Sequence, residues 1–559
     1  MVFLGLHYAI WIVLVSYFVG MLILGWWSRR GIHSQEGYLL GNRQFGTPMM
    51  VMHAFGAGTH PGNVAGVMSE AVVSGAAGIW VSWMWLFGTP FYWIIAPVVR
   101  RMRCLTLADF FQQRFGKAAS VLYIFVASVG MIVFLAGVLL ATTRTVQGMM
   151  GLPAVRLTGE TTAQQSDVWF FGILFVMTAV FIIYSYWGGI IAAIRTDMIQ
   201  GLMIIALSFI AIPAALGLKE VGGLAGMRAT LTEQNTSYLS LFDPKGFSLL
   251  TVLLLSINAP LTALAFPHLI SVCGAGRTEW EGRVGFTYGN ILKRVCTIGW
   301  AVLGLCWLTF LINTGSTIHR DTAFGDSIST LLPPVLQGVM LACVMAAAMS
   351  SGDAVQVTVA GLISENIYRV YFNPKADQMR LLSITRITGV VIALLSLVGA
   401  ILMRSSLVKA ILDYFNILSL VGISTAMGIL WRRMNTTGMF CSCLLASGVF
   451  ILTRYVLDCS RDITIGVPIV AGLLGGMVGS LLTRPPQPER IEKFFKKIYV
   501  PIGQEKRLEL PFDEAVPKSR RWFTFGGLFI IKPSRQSWVG FVVTLGICLA
   551  CVLVMLAIM

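Results

Sequence analysis

Within an apolar stretch from 331 to 363, the chain places Met345-Ala346-Ala347-Ala348-Met349-Ser350-Ser351-Gly352-Asp353. Residues three and four apart share one face of a helix, so the Ala347 carbonyl and the Ser350 and Ser351 hydroxyls can converge on one point. Converging oxygens are what a hard cation needs once it leaves water. The competing use of two such serines is local, each hydroxyl bonding back to the preceding turn. Asp353 adds a carboxylate, which inside an apolar span marks function by default, although near a mouth of the bundle it can be hydrated. A second acid, Asp197, follows Arg195-Thr196 and precedes Gln200 by three residues. It can pair with Arg195 or a helix end at an interface, or it can tune cation entry and coupling.

These groups must be positioned by an unusually apolar scaffold. Of 559 residues 56% are hydrophobic and 12% charged, about half the charge of a soluble chain. Apolar runs long enough to cross a bilayer occur at 5–27, 48–73, 76–98, 118–146, 168–186, 190–216, 246–272, 290–314, 331–363, 381–403, 408–431, 436–457, 463–483 and 537–558. The expected fold is an all-α membrane protein with about 14 transmembrane helices in one bundle. The first run lacks a basic stretch ahead of it and reads as a retained helix rather than a signal peptide.

Assigning the loops alternately puts 31 of the 41 Lys and Arg on one side, Lys293 and Arg294 among them. By the positive-inside rule that side is cytoplasmic, which leaves both termini extracytoplasmic in a multi-pass plasma-membrane protein. The net charge of +16 thus follows topology and calls for no nucleic-acid partner; the lipid bilayer is the partner implied. Cys548 and Cys551 are helical neighbours without further soft ligands, so they read as small buried hydrophobes. The stretch 484–536 mixes seven prolines with basic and amphipathic pieces such as Ile491 to Tyr499. It reads as a cytoplasmic linker lying on the membrane surface, its lysines drawn to anionic lipid.

Two apolar runs are interrupted. In 48–73 the break falls at Gly56-Ala57-Gly58-Thr59-His60-Pro61-Gly62-Asn63, and in 246–272 around Asn258-Ala259-Pro260, with Pro267-His268 further on. Glycine and proline release backbone groups from the helical ladder. In a bilayer those groups must be buried in protein or line a cavity. Each break alone reads equally as a proline kink. The second lies five helices after the first, however, so the two halves run oppositely across the membrane, and paired discontinuous helices in inverted repeats point to a midplane binding site.

These motifs carry a resemblance. Gly188-Gly189, Thr196-Asp197 and Gln200 resemble the signature of the sodium:solute symporter family. Gly41 to Phe115, with Thr106-Leu107-Ala108-Asp109-Phe110 and Arg114-Phe115, is similar to its first core helix and the loop helix after its second. Ala347 to Asp353 is similar to its Ala-x-x-Ser-Ser/Thr-x-Asp element. The resemblance spans about Tyr38 to the 480s.

It implies an inverted repeat of five plus five helices with two discontinuous ones. The expected organisation is an extra helix and loop at 1–44, a first repeat at 45–217, an extracellular loop at 218–245, a second repeat at 246–431, two peripheral helices at 432–483, the linker at 484–536 and a last helix at 537–559. It also implies a sodium site made by the carbonyls of Gly56, Thr59 and Ala347 with the hydroxyls of Ser350 and Ser351. Na+ would be the co-transported ion, with no organic cofactor, in a symporter rather than an enzyme, a single chain sufficing.

Aligned on Gly66, Asn63 falls where sugar-transporting members place a substrate-binding glutamine. Thr262 stands where they have a stacking tyrosine, and Phe266 replaces a polar residue, which argues against a galactose-like site. His60-Pro61 departs from the pattern as well: His60 can read solute or pH, or bond to a freed carbonyl. The expected solute site is therefore Asn63, His60, Thr262 and Phe266, with Asp197 and Asp353 in coupling or gating. Proton coupling in the same fold and a non-transporting solute sensor are the alternatives. A channel should show repeated polar rings, and none is visible.

Overall fold

The computed structural model describes residues 2–3, 5–28, 35–151, 160–243, 246–524 and 527–559. Arg29 and Arg30, counted among the basic-side charges, lie outside it. Among the described residues ten helices are long and apolar enough to cross a membrane, and Tyr8–Met21, Val168–Val180 and Leu249–Ala265 are shorter apolar helices. The chain runs through α1 (Tyr8–Ser28), α2 (Thr47–Gly58), α3 (Pro61–Ser74), α4 (Tyr92–Arg101), α5 (Leu107–Arg114), α6 (Lys117–Met149) and α7 (Glu160–Phe209). It continues with α8 (Leu249–Ala265), α9 (Leu269–Gly274), α10 (Glu279–Thr314), α11 (Pro334–Ile363), α12 (Gln378–Leu402) and α13 (Leu407–Leu430). The last elements are α14 (Thr436–Ile451), α15 (Arg461–Leu481), α16 (Pro488–Tyr499) and α17 (Arg535–Ile558). Two small antiparallel hairpins, Val2–Phe3 with Leu6–His7 and Arg521–Phe523 with Ile530–Ile531, stand outside the helices.

The first break falls where the glycines and proline put it, between α2 and α3. The second does not fall at Asn258-Ala259-Pro260: α8 runs through Pro260 and ends at Ala265, and Phe266-Pro267-His268 separates it from α9. A membrane helix tolerates an internal proline when the freed carbonyl finds another donor. The run 76–98 is not one helix either. Short helical turns at Gly75–Ile79, Trp80–Trp83 and Thr89–Phe91 precede α4, with Gly75 at φ 63° and Pro90 lacking an N–H. Conversely, 168–186 and most of 190–216 fall on the single helix α7. The Gly188-Gly189 pair costs helix propensity but, without proline, does not end the helix.

Two charges assigned to a loop are inside the bundle. Lys293 and Arg294 sit on α10, 5% and 0% exposed. Arg294 donates to the Ser82 carbonyl (3.2 Å) and reaches the Thr89 hydroxyl (3.4 Å), while its own carbonyl accepts from Trp83 Nε1 (3.0 Å). These bonds hold the irregular 75–91 segment against α10.

The stretch 484–536 is a folded cap on the bundle. α16 buries Ile491, Phe494, Phe495, Ile498 and Tyr499. Arg490 donates to the carbonyls of Gln112 (2.6 Å) and Gln113 (2.9 Å) at the end of α5. Arg103 reaches the carbonyls of Lys497 (3.0 Å) and Pro501 (3.2 Å), and Arg432 stacks over Phe512 at 4.7 Å and Phe529 at 5.2 Å. Of the basic side chains in 484–536, Arg490 is thus bonded to protein carbonyls rather than spread on a lipid surface, while Arg103 and Arg432 of the bundle meet the cap's carbonyls and rings.

Close backbone approach joins the first broken helix to α10. A Cβ at Gly289 would stand 2.6 Å from the Val51 carbonyl oxygen and 2.8 Å from the Phe55 amide, and one at Gly285 2.7 Å from Met50 Cβ. Gly289→Leu therefore pushes α10 off α2 and lowers stability by about 1–3 kcal/mol, read as an earlier thermal unfolding midpoint in detergent.

Candidate functional site

The chemistry gathers where α2 stops. Thr59 (φ −119°, ψ 108°) and His60 (φ −120°, ψ 163°) are extended between Gly58 and Pro61. Helical pairing sends each carbonyl to the amide four residues on. The Gly56 carbonyl instead accepts from the Thr59 amide (3.1 Å), and the Asn63 amide turns to His60 (2.9 Å). The Ala57 carbonyl would pair with residue 61, but Pro61 has no N–H.

Ser351, one turn past Ala347 on the buried α11, fills this gap. Its Oγ lies 3.3 Å from the Gly56 oxygen, 3.2 Å from that of Ala57 and 3.3 Å from that of Thr59. One hydroxyl proton can serve one of the three acceptors. The Thr59 hydroxyl is also buried with no partner among the described residues. Lone pairs thus outnumber donors, a surplus that a cation answers.

Ser350 turns the other way and donates to Asp197 Oδ1. Asp197 Oδ2 lies 2.6 Å from His53 Nδ1, with both side chains essentially out of solvent. Asp197 is therefore no interfacial partner of solvent; it links α7 to α2 and α11 inside the protein. Gly56 makes this possible, since a Cβ there would stand 2.6 Å from Ser350 Oγ and 3.2 Å from Asp197 Oδ1. Asp353, two residues past Ser351, is buried at 3%.

Beside the break lies a narrow cavity of about 50 Å³. Trp85, Tyr92, Phe134, Phe266, Tyr414 and the polar groups of His268, Asn290 and Lys293 line it. Phe266 packs on Trp85 (5.6 Å) and edge-on to His268 (4.7 Å). His60 stands behind this wall, its ring 4.8 Å from Phe134 and 6.2 Å from Tyr414, and neither ring nitrogen has a partner among the described residues. Asn63 accepts from the His60 amide (3.0 Å) as part of the cap of α3. Thr262 bonds the carbonyls of Asn258 (3.0 Å) and Phe415 (3.2 Å). Of the four residues expected at a solute site, Phe266 lines the cavity, His60 backs it, and Asn63 and Thr262 are committed to backbone.

Lys293 was missed as a site residue. Its ammonium donates to the Gly58 carbonyl at the break while facing the cavity. Its signal was present: a lysine and an arginine inside the apolar run 290–314. His53 was missed as well, although a histidine three residues ahead of a Gly-rich break is uncommon company for an apolar helix.

A larger cavity of about 640 Å³ opens beside Thr251, Arg320, Asp413, Arg454 and Arg461. Ion pairs cross it. Glu70 of α3 holds Arg320 (3.4 Å) and Arg461 (3.2 Å), and Asp413 holds Arg454 at 2.8 Å.

An apolar helical bundle with two interrupted helices, and with buried oxygens and charges meeting at an interruption, defines a membrane transporter rather than an enzyme. Residues 38–446 match the model of the sodium:solute symporter family, and the chain belongs to that family. It is 25% identical over 483 residues to the osmoregulated proline transporter OpuE of Bacillus subtilis, covering 84% of this chain and 94% of that one. It is 24% identical over 506 residues to the sodium/proline symporter of Salmonella typhimurium, covering 86% and 94%. The fold is shared with a Na+-coupled sialic acid symporter solved in a substrate-bound outward-open state: TM-score 0.70, 16% identity, 86% of this chain and 99% of that chain.

Because His53 and Asp197 are in direct contact and buried, their substitutions are non-additive. In a double-mutant cycle of His53→Ala and Asp197→Asn, the coupling measured by thermal or chemical unfolding is about 1–3 kcal/mol.

Proposed function

We propose that this chain imports a small carboxylate-bearing solute together with sodium by alternating access. The observation that carries the ion assignment is Ser351 Oγ within 3.3 Å of three carbonyl oxygens at the α2–α3 break. In this reading Na+ is bound by the carbonyls of Gly56, Thr59 and Ala347 and by the Ser351 hydroxyl. The Ser350 hydroxyl joins them when it swings from Asp197, whose carboxylate balances the ion's charge. Asp197 and Asp353 serve coupling and gating.

The solute class follows from Lys293. Its nearest described partner is a neutral carbonyl, and a buried ammonium without a counter-charge is costly. A carboxylate in the adjoining cavity supplies that charge, with Phe266, Trp85 and Tyr414 covering an apolar body. The named activity of the relatives, proline transport, is consistent with such a molecule. At about 50 Å³ the cavity must widen to admit it, so Phe266, with Tyr414 and His60 behind it, is the wall that moves. Asn63 and Thr262 shape the helix ends around the solute rather than its contacts. The larger cavity beside Arg320 and Arg461 is the outer vestibule, and the Glu70 ion pairs close it in the alternating cycle. One sodium crossing about 100 mV supplies about 2.3 kcal/mol, roughly a fortyfold solute gradient before any sodium gradient is added. The inverted repeat of 45–217 and 246–431 is the symmetry that this motion would use.

In proteoliposomes, proline or a related carboxylate is taken up only with an inward sodium gradient. Ser351→Ala raises the sodium concentration for half-maximal uptake roughly 10- to 100-fold with a smaller effect on solute binding. Uptake driven by a pH gradient and indifferent to sodium would sink the ion assignment in favour of proton coupling.

Lys293→Met separates the two halves of the reading. Solute-induced thermal stabilisation disappears for carboxylates, whereas sodium-induced stabilisation remains. A Lys293→Met protein still stabilised by proline to the parental degree contradicts the solute class.

A further inference from the structure

A cavity of about 380 Å³ lies between the cap and the bundle, shares no lining residue with the cavity at the α2–α3 break, and transport as described above makes no use of it. Its floor is apolar, with Val98 of α4, Leu430 of α13, and Phe529 and Ile531 of the cap. Its charged lining is cationic: Arg101, Arg283, Arg520 and Lys532, with no acidic side chain among the described residues.

The four cations are not equally satisfied. Glu279 takes Arg101 in a two-bond pair of 2.8 Å each, which neutralises it. Arg283 lies over Trp93 at 5.8 Å, its side chain 6% exposed and in a longer ion pair of 3.8 Å with the Glu279 that Arg101 already holds. Its Nε and Nη1 are buried with no partner among the described residues. Two unanswered donors on a buried guanidinium are a standing demand for an anion. Arg520 and Lys532 are exposed at the rim. Ser534 and Ser537, also in the lining, form the first turn of the 24-residue α17, whose N-terminal end adds positive potential.

Exposed tryptophans stand within three residues of the lining side chains Arg283, Arg520 and Ser537. Trp280, Trp522 and Trp538 are 47%, 61% and 38% exposed, and Trp522 packs edge-on to Trp538 at 5.9 Å. Exposed tryptophans beside an apolar helix mark the headgroup level, here on the side of the basic loops. A ligand matching this place has a phosphate-like anionic head and an apolar tail.

We infer that the cavity between α4, α10, α13 and the cap holds an anionic phospholipid of the cytoplasmic leaflet. Its phosphate meets Arg283, Arg520, Lys532 and the start of α17, and an acyl chain lies on Val98, Leu430, Phe529 and Ile531. Such a lipid bridges the cap to α10 and α4, so the cap's seating depends on the charge of the surrounding membrane.

The test is native mass spectrometry of the full chain in detergent, offered phosphatidylglycerol, phosphatidylcholine or inorganic phosphate. The parent retains phosphatidylglycerol over phosphatidylcholine, and inorganic phosphate does not displace it. The variant R520Q/K532Q, changed only at exposed positions, retains phosphatidylglycerol on the order of tenfold less with an unchanged unfolding midpoint in lipid-free detergent. Retention equal to the parent's overturns the inference. Displacement of the lipid by inorganic phosphate overturns it also, since the cavity would then be a site for a free anion.

Discussion

An interrupted helix in a bilayer must have its broken hydrogen bonds answered by other protein groups, and the contact between Ser351 and the Gly56–Thr59 carbonyls is where this chain answers them. Hydrocarbon supplies neither donors nor acceptors. The break between α2 and α3 is therefore stable only if α11 delivers a hydroxyl to it, α10 delivers an ammonium to the Gly58 carbonyl, and both helices approach closely. Gly56, Gly285 and Gly289 permit that approach. Much of the bundle's arrangement is a consequence of keeping a few carbonyls company, and the surplus of acceptors that remains is where the sodium site is proposed.

That break was legible in the sequence because its cause is local. Pro61 removes an N–H and three glycines lower helix propensity, and both effects act at the position where they occur. The second break was misplaced because Pro260 has the same local effect and yet sits inside an intact helix; which proline ends a helix depends on what answers the freed carbonyl. The serine pair was legible as a helical face. That the two hydroxyls diverge, Ser351 to α2 and Ser350 to Asp197, depends on contacts between residues about 150 and 295 positions apart, and no periodicity carries such information.

Charge was the poorest guide. Counting Lys293 and Arg294 as loop residues followed from treating positive charge as a sign of water, whereas both are buried in α10 and bonded to backbone or hydroxyl oxygens. In the basic 484–536 stretch Arg490 likewise bonds to the carbonyls at the end of α5, and rings of the cap stack on Arg432. The same economy operates at the break and at the cap: helix termini and interruptions leave carbonyls that need donors, and cationic side chains provide them. At the cap one guanidinium, Arg283, remains only partly answered, and at the break one ammonium, Lys293, does.

The sodium site proposed at the α2–α3 break depends on Ser351. Equilibrium binding of radioactive sodium to the purified protein, without solute, tests it most directly. Saturable binding is expected, weakened by Ser351→Ala and left in place by Lys293→Met. Saturable sodium binding of parental affinity in Ser351→Ala, or none in the parent, would contradict it.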